Sequence, residues 1–446
     1  MNAARWSVTA AAALLLAAAS PSRAWFDQAA VPDWRPVALQ TFDVVWDTIN
    51  TTFYDPTFGG VDWNAVKREF RPRIERAASP DDSRAIIREM LARLGKSHMA
   101  LLSSAPDNQA AAGPATVPID VRVAAGEVVV TRVIADSNAS RAGVRAGDRL
   151  DGVDGESAGE WFAAAQGATP RARDLDVWRR ASRALYGLVG VAASLQVRAP
   201  GAAESRRLEV SRVMAAGASV KLGNLPPLSV QTDTSEARTP AGRRVGIVAF
   251  NIWMPTINVP VANAVDKFRA ADGLVIDLRG NPGGLADMIR GVAGHVIDDG
   301  SQLLGRMQMR GVPLEFKPNP RRSMPDGRAV TPYAGPVAIL VDELTASASE
   351  CFAGALQSLG RARIFGRQTM GQALPASTKQ LPNGDVLLHV VGDFVTSNGK
   401  SLEGDGVIPD VSVPLDRVAL ASGRDPALDA ALSWVDGYRR SGRDPK

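Results

Sequence analysis

A serine set among small residues, directly after a buried strand and before a helix, stands where hydroxyl chemistry can be done. Ser347 has this setting in Thr345-Ala346-Ser347-Ala348-Ser349-Glu350, after the apolar run Val337-Ala338-Ile339-Leu340-Val341 and before a helix expected through Phe352 to Leu359. The first N–H groups of a helix lack intrahelical partners and carry partial positive charge. They can stabilise the oxyanion that forms when a hydroxyl attacks a carbonyl. A second turn of small residues, Asp277-Leu278-Arg279-Gly280-Asn281-Pro282-Gly283-Gly284, follows the strand Gly273-Leu278 and precedes a helical stretch from Leu285 to Val292. Glycine lets the backbone come close to a ligand, so the two turns can build one pocket with N–H groups from Gly283 or Gly284 and from Ala348. Ser347 and Ser349 also have a plain structural use, since serine commonly caps a helix. The residues alone leave both uses open.

The elements around these turns read as a layered α/β core. Arg244-Phe250 is a strand, Val259 to Ala270 a helix, and the all-apolar strands at 273–278 and 337–341 are of the kind buried on both faces. Upstream, Val37 to Ser103 reads as mainly helical. Phe42, Val45, Trp46 and Ile49 fall on one helical face, a second helix runs from Trp63 toward Arg76, and a third starts near Asp81-Asp82 and is capped by Gly95. After an Ala/Gly/Pro-rich linker from Ala105 to Pro118, the pattern changes to short strands at Ile119-Val123 and Val128-Val133. The run Ala142-Gly143-Val144-Arg145-Ala146-Gly147-Asp148-Arg149-Leu150 that follows resembles the signature of a PDZ domain of the bacterial protease type. Trp161 to Tyr186 is Arg-rich and helical, and Leu195-Val197 and Leu208-Val213 close the module.

A chain of 446 residues, 45% hydrophobic and 22% charged, is a folded protein of about three domains. Arg5, the apolar run Val8 to Ala19 and Ser22-Arg23-Ala24 have the form of a signal peptide cut after Ala24. The apolar run is shorter than the roughly 20 residues a membrane span needs, so export to the periplasm or outside the cell, without stable membrane insertion, is expected. Cys351 is the single cysteine, which excludes an intramolecular disulfide. The formal charge of +4 falls to +2 when Arg5 and Arg23 leave with the signal. No dense basic run suggests nucleic acid, and His and Cys are too few and scattered for a metal cluster. No cofactor is implied, and the chain is compatible with a homo-oligomer. The expected organisation is a signal peptide over 1–24, an N-terminal helical domain over 25–105, a PDZ-like domain over 113–215, an α/β core carrying the Ser347 turn over 216–420 and a C-terminal helix and tail over 421–446.

The two small-residue turns, with Ala353-Gly354-Ala355-Leu356 and Gly406-Val407-Ile408-Pro409-Asp410, resemble the carboxyl-terminal-processing (tail-specific) peptidase family. The resemblance covers nearly all of the mature chain. It implies a crotonase-like (ClpP/crotonase) α/β core with an inserted PDZ-like domain, Ser347 as nucleophile, and Ala348 with a motif glycine as oxyanion donors. It also implies polypeptide substrates that are unfolded or flexible, C-terminal segments among them. Familiar members pair the serine with a lysine 25 residues later; here that position is Gln372, and the family's glutamine four residues on is Ala376. An amide cannot take the serine proton. Lys379 is the nearest lysine in sequence, and nothing in the sequence places it.

Three histidines remain as bases: His98, His295 and His389. Leu94-Gly95-Lys96-Ser97-His98 is similar to a motif of the tricorn branch of the same superfamily, which uses Ser-His-Ser-Glu. That likeness implies His98 as base, Ser97 as its orienting serine and Glu403, in Ser401-Leu402-Glu403-Gly404-Asp405-Gly406, as the distant carboxylate. Read alone, His98 is a loop histidine after a helix cap, His295 a structural residue in an apolar helix, and His389 a strand residue facing either way. The loss of the lysine also motivates a second function, a catalytically silent binding protein on the same fold. A third, acyl transfer on a thioester, conflicts with the signal peptide. The run Gly113-Pro114-Ala115-Thr116-Val117-Pro118-Ile119 departs from the usual carboxylate-binding loop, and its prolines remove donors. The PDZ-like module is therefore also read as a gate or lid.

Overall fold

The computed structural model describes residues 33–103, 113–220 and 228–438. The signal peptide at 1–24, part of the linker and the end of the tail lie outside the described residues.

Three helices open the fold: α1 (Arg35–Thr52), α2 (Trp63–Glu75) and α3 (Pro80–Ala92). Asp62 and Ser79 cap the second and third by accepting the N–H groups of Ala65 and Asp82, each satisfying a donor the helix cannot. The expected apolar face of α1 is buried. It packs with Phe70, Ile87 and Met90, and also with Leu374, Leu381, Leu387 and Val390 of the core. The helical stretch ends sooner than expected. Gly95 takes a left-handed φ of 58°, and Ala100–Leu102 forms a strand, β1, antiparallel to Val386–Val390. The segment after Gly95 thus pairs with the edge of a core hairpin.

The PDZ region has its own apolar core, with Val121, Val130, Leu150, Trp161, Ala181 and Leu195 among its buried members. Its main sheet is built from β2 (Ile119–Ala124), β3 (Glu127–Val133), β4 (Arg149–Val153), β5 (Ala192–Arg198) and β6 (Arg206–Ser211). The Arg-rich stretch is two helices, α4 (Ala158–Ala164) and α5 (Pro170–Leu185). Gly167 has φ 155°, and Thr169 caps the second helix ahead of Pro170. Proline at the first helical position starts a helix readily and cannot continue one.

The C-terminal half is built on a six-stranded mixed sheet. Its order is Thr232–Arg238, Arg244–Phe250, Gly273–Asp277, Val337–Val341, Ala362–Gly366 and Val411–Ser412, with only the first pair antiparallel. Side chains alternate across it. Val337, Ile339 and Val341 face a core shared with Phe268, Ile289 and Phe352, whereas Ala338 and Leu340 face Ala431, Leu432 and Val435 of the helix Pro426–Gly437. Burial on both faces explains the unbroken apolar strands. The stretch after Gly284 is helical only from Met288 to Ala293, because the chain first runs extended alongside Trp253.

Candidate active site

Ser347 caps the helix Ala348–Ser358, which therefore begins directly after the candidate nucleophile rather than near Phe352. Its backbone sits at φ 54° and ψ −122°, a conformation that costs a non-glycine residue about 1–3 kcal/mol. This sharp strand-to-helix turn lifts the hydroxyl clear of the sheet. A shared backbone donor fixes the turn: Ser347 N–H donates to the backbone oxygen of Gln372 (2.8 Å) and to the side-chain Oε2 of Glu350 (3.0 Å). Ser349, the alternative serine, is fully buried and accepts a hydrogen bond from Trp253 Nε1 at 2.8 Å. It is committed to the core.

The glycine turn lies against this elbow. A Cβ on Gly283, whose φ is 103°, would stand 2.5 Å from Ser347 Cβ and 3.0 Å from Ala348 N, and one on Gly284 would stand 2.5 Å from Trp253 O. No side chain fits at either position. The N–H of Gly283 donates to Asn281 Oδ1 (3.0 Å), and its carbonyl accepts from Trp253 N–H (2.9 Å). Among the described residues the N–H groups of Gly284 and Ala348 have no protein acceptor. They remain available to an oxyanion.

The base side comes from two distant segments. Ser97 Oγ donates to Glu403 Oε2 (3.0 Å) and lies 2.9 Å from His98 Nδ1. The Ser97 N–H donates to Glu403 Oε1 (3.0 Å). Since the hydroxyl proton goes to the carboxylate, Ser97 Oγ accepts from His98 Nδ1–H, and this network assigns the imidazole lone pair to Nε2. Burial holds the His98 pKa below its ordinary value of 6.5, against the pull of the Glu403 carboxylate. The ring is neutral at pH 7, as a general base must be. His98 itself has φ 56°, and β1, which starts two residues later, anchors the segment to the core hairpin. Among the described residues no hydrogen bond joins His98 to Ser347. The serine-glutamate pair and the imidazole are assembled, and the step from imidazole to nucleophile is open.

The other candidates fall elsewhere. His295 is buried beyond the end of the helix Met288–Ala293, and burial together with Arg321 and Arg269 pushes its pKa down to about 4. His389 is buried, with Nδ1 3.1 Å from Thr52 Oγ1. Lys379 is exposed on the strand Ala376–Gln380. Asp410 of the closing motif is structural, accepting from Ile364 N–H and Gln357 Nε2.

Sequence reasoning missed Glu350. Fully buried, it accepts from Ser347 N–H, Gln372 N–H (2.9 Å), Gly371 N–H (2.6 Å) and Thr369 Oγ1 (2.5 Å). Burial raises its pKa, while these donors pull it down. The next residue of the same loop, Ala373, gives its N–H to Glu403 Oε2 at 3.2 Å. Thus Thr369–Ala373, which carries Gln372, is a splint between the Ser347 turn and the Ser97–Glu403 pair. The only sequence signal for Glu350 is its place three residues after Ser347, the spacing of a capping box.

Comparison with known proteins agrees with this geometry. Residues 244–413 match Peptidase family S41, residues 38–92 the Tricorn protease C1 domain and residues 129–179 a PDZ domain. The chain is 26% identical over 405 residues to the carboxyl-terminal-processing protease of Synechocystis, covering 88% of this chain and 85% of that one. It is also 26% identical over 387 residues to carboxyl-terminal-processing peptidase 3, chloroplastic, of Arabidopsis thaliana, covering 83% and 68%. The fold is shared with the photosystem II D1 C-terminal processing protease (TM-score 0.55, 24% identity, covering 88% and 99%) and with mature CPAF (TM-score 0.61, 14% identity, covering 90% and 97%). None of these comparisons supports a silent binding protein. The chain is a serine-type peptidase that carries a Peptidase family S41 domain and a PDZ domain and is similar to the carboxyl-terminal-processing proteases.

Proposed function

We propose that this peptidase is exported and cleaves unfolded or flexible polypeptides, C-terminal segments included, through an acyl-enzyme on Ser347 with His98 as general base. The observation that carries the reading is Ser97 Oγ set between His98 Nδ1 (2.9 Å) and Glu403 Oε2 (3.0 Å), which leaves Nε2 as the basic nitrogen. On substrate binding the imidazole closes on Ser347 and takes its proton as Oγ attacks the scissile carbonyl. Catalytic contacts commonly tighten only at this stage. The oxyanion is received by the N–H of Ala348 and by the Gly283-Gly284 turn. His98 then returns the proton to the leaving amine, and water, activated by the same nitrogen, releases the acyl group. Glu403 orients Ser97, which orients His98.

Gln372 contributes its backbone to the elbow, and its amide side chain takes no proton. The helix-backed mixed sheet is consistent with crotonase-like layering. Export rests on the signal-like segment at 1–24; among the described residues no helix is long and apolar enough to cross a membrane. The test uses purified mature chain, an unfolded polypeptide substrate and a fluorophosphonate probe. Wild type should cleave and be labelled at Ser347, and Ser347→Ala should do neither. Labelling at another residue would overturn the nucleophile assignment.

A further inference from the structure

The carboxylate that orients Ser97 is itself held from behind. Glu403 lies just after the strand Gly392–Thr396, where the chain turns back so tightly that Ser401 pairs with Val395 of that strand. Thr396 closes the turn by donating its N–H to Lys400 O (3.0 Å). Asp393, half-buried in the same strand, accepts the Ser401 hydroxyl on Oδ1 at 2.9 Å. With its proton committed to that carboxylate, Ser401 Oγ accepts the Glu403 N–H at 3.4 Å. Leu402, between the two, is buried on the helix that Ser347 caps, where a Cβ on Gly354 would stand 2.9 Å from its side chain. The Glu403 carboxylate faces the other way, with Oε1 on the Ser97 N–H and Oε2 on the Ser97 hydroxyl and the Ala373 N–H. Burial raises the Asp393 pKa, and the Glu403 charge adds to it against the pull of Ser401 and Lys96. The two acids are neighbours, and a serine joins the first to the backbone of the second.

We infer that Asp393 is a positioning residue for the base: through Ser401 it fixes the turn that aims the Glu403 carboxylate at Ser97. The inference rests on the reading of Glu403, Ser97 and His98 as the base side of the site. A hydroxyl bonded to a carboxylate makes a stronger hydrogen bond than one bonded to a neutral group, so Asp393 decides which way Ser401 points. Without it the Ser401 hydroxyl rotates freely and its oxygen is no longer kept for the Glu403 N–H. Glu403 must meet the Ser97 N–H and hydroxyl together, each at 3.0 Å, and a small turn of its backbone spoils that fit. A Ser97 hydroxyl released from Glu403 can donate to His98 Nδ1 instead of accepting from it. That places the ring proton on Nε2, the tautomer that cannot take a proton from Ser347. Neither Asp393 nor Ser401 belongs to the oxyanion turns, so the proton-transfer step suffers and substrate binding does not.

The test uses Asp393→Ala, Asp393→Asn and Ser401→Ala in the full mature chain, each alone and combined with Glu403→Gln. It measures kcat and KM on an unfolded substrate, the rate of fluorophosphonate labelling of Ser347, and the melting temperature. Asp393→Ala and Ser401→Ala should each lower kcat and labelling together by roughly 10-fold with KM within about two-fold, because small misplacements of catalytic groups are costly. Asp393→Asn, whose amide oxygen still accepts the Ser401 hydroxyl, should recover part of the loss. In the Glu403→Gln chain there is no carboxylate left to aim, so adding Asp393→Ala should change kcat by less than about two-fold. Wild-type kcat and labelling in a folded Asp393→Ala chain, an effect on KM alone, or the same loss repeated in the Glu403→Gln chain would overturn the inference. If Asp393→Ala does not fold, Ser401→Ala decides by the same criteria. Wild-type kcat in Glu403→Gln itself would instead sink the base-side reading, so the two failures are distinguishable.

Discussion

Two glutamates brace the two halves of the site, and they do so differently. Glu350 is fully buried and spends both oxygens on one tight region: the Ser347 elbow and the loop at 369–372. Glu403 is half-buried, and it joins Ser97, from the N-terminal helical region, to Ala373 in the core. Ser347, the proposed nucleophile, is therefore held between a core strand and its helix, with Cys351 and Phe352 packed behind it. The base is carried on a connection between a helix end and a short strand. A rigid nucleophile can keep a strained backbone and close glycine contacts. A base on a joint can withdraw from and return to the serine.

The comparison breaks first where proton transfer fails. Ser347→Ala and His98→Ala should each reduce kcat/KM by at least ~10⁴-fold, since members of such a unit lose nearly everything singly. Hydrolysis of an unfolded substrate measures this. Glu403→Gln should cost roughly 10²-fold in kcat, less than loss of the base, because orientation is weakened while the imidazole remains. The same change should move the pH inflection of activity lower, because the Glu403 charge raises the His98 pKa. An unmoved inflection would show that Glu403 does not act through His98.

Glu350→Gln sharpens the contrast from the other side. It leaves buried donors poorly satisfied, so stability should fall by about 1–3 kcal/mol, read as a shift in urea midpoint, with kcat falling alongside. Gln372→Lys, which restores the family's lysine position, should leave activity within about three-fold and should not rescue His98→Ala, since a base lacking the right reach contributes nothing. Rescue would mean that the splint can present a side chain to Ser347. The smallest effect concerns His295. Its folded pKa of about 4 lies below the ordinary 6.5. The unfolded chain therefore binds more protons over that interval, and the stability present above pH 6.5 is lost as pH falls toward 4. In His295→Leu that part of the acid sensitivity should disappear from pH-dependent urea melts.

Much of this was legible in the residues. The apolar strands at 273–278 and 337–341, the small-residue turns and the helix faces of Phe42 and Ile86 follow from periodicity and are found nearly where expected. Ser347 was marked by its neighbours, and the Ser97, His98 and Glu403 assignment followed from family likeness once Gln372 stood where a lysine was needed. What stayed hidden depends on distance in sequence. β1 is a strand because Leu387 and Leu388 offer it an edge, which no local pattern near Ala100 encodes. Glu350 looks like an ordinary helix-start glutamate until the loop at 369–372 is seen wrapped around it. Arg122 alternates with apolar residues in β2 and reads as a solvent-facing strand position, yet Asp342, 220 residues on, draws it inward.

The central claim is that a neutral His98 imidazole activates Ser347. The rate of fluorophosphonate labelling of Ser347 across pH, in wild type and in His98→Ala, tests it most directly. In wild type the rate should be flat above neutrality and fall with acid through one inflection below 6.5, and His98→Ala should not be labelled at any pH. Labelling of His98→Ala at the wild-type rate, or a wild-type inflection in the alkaline range of a lysine, would contradict it.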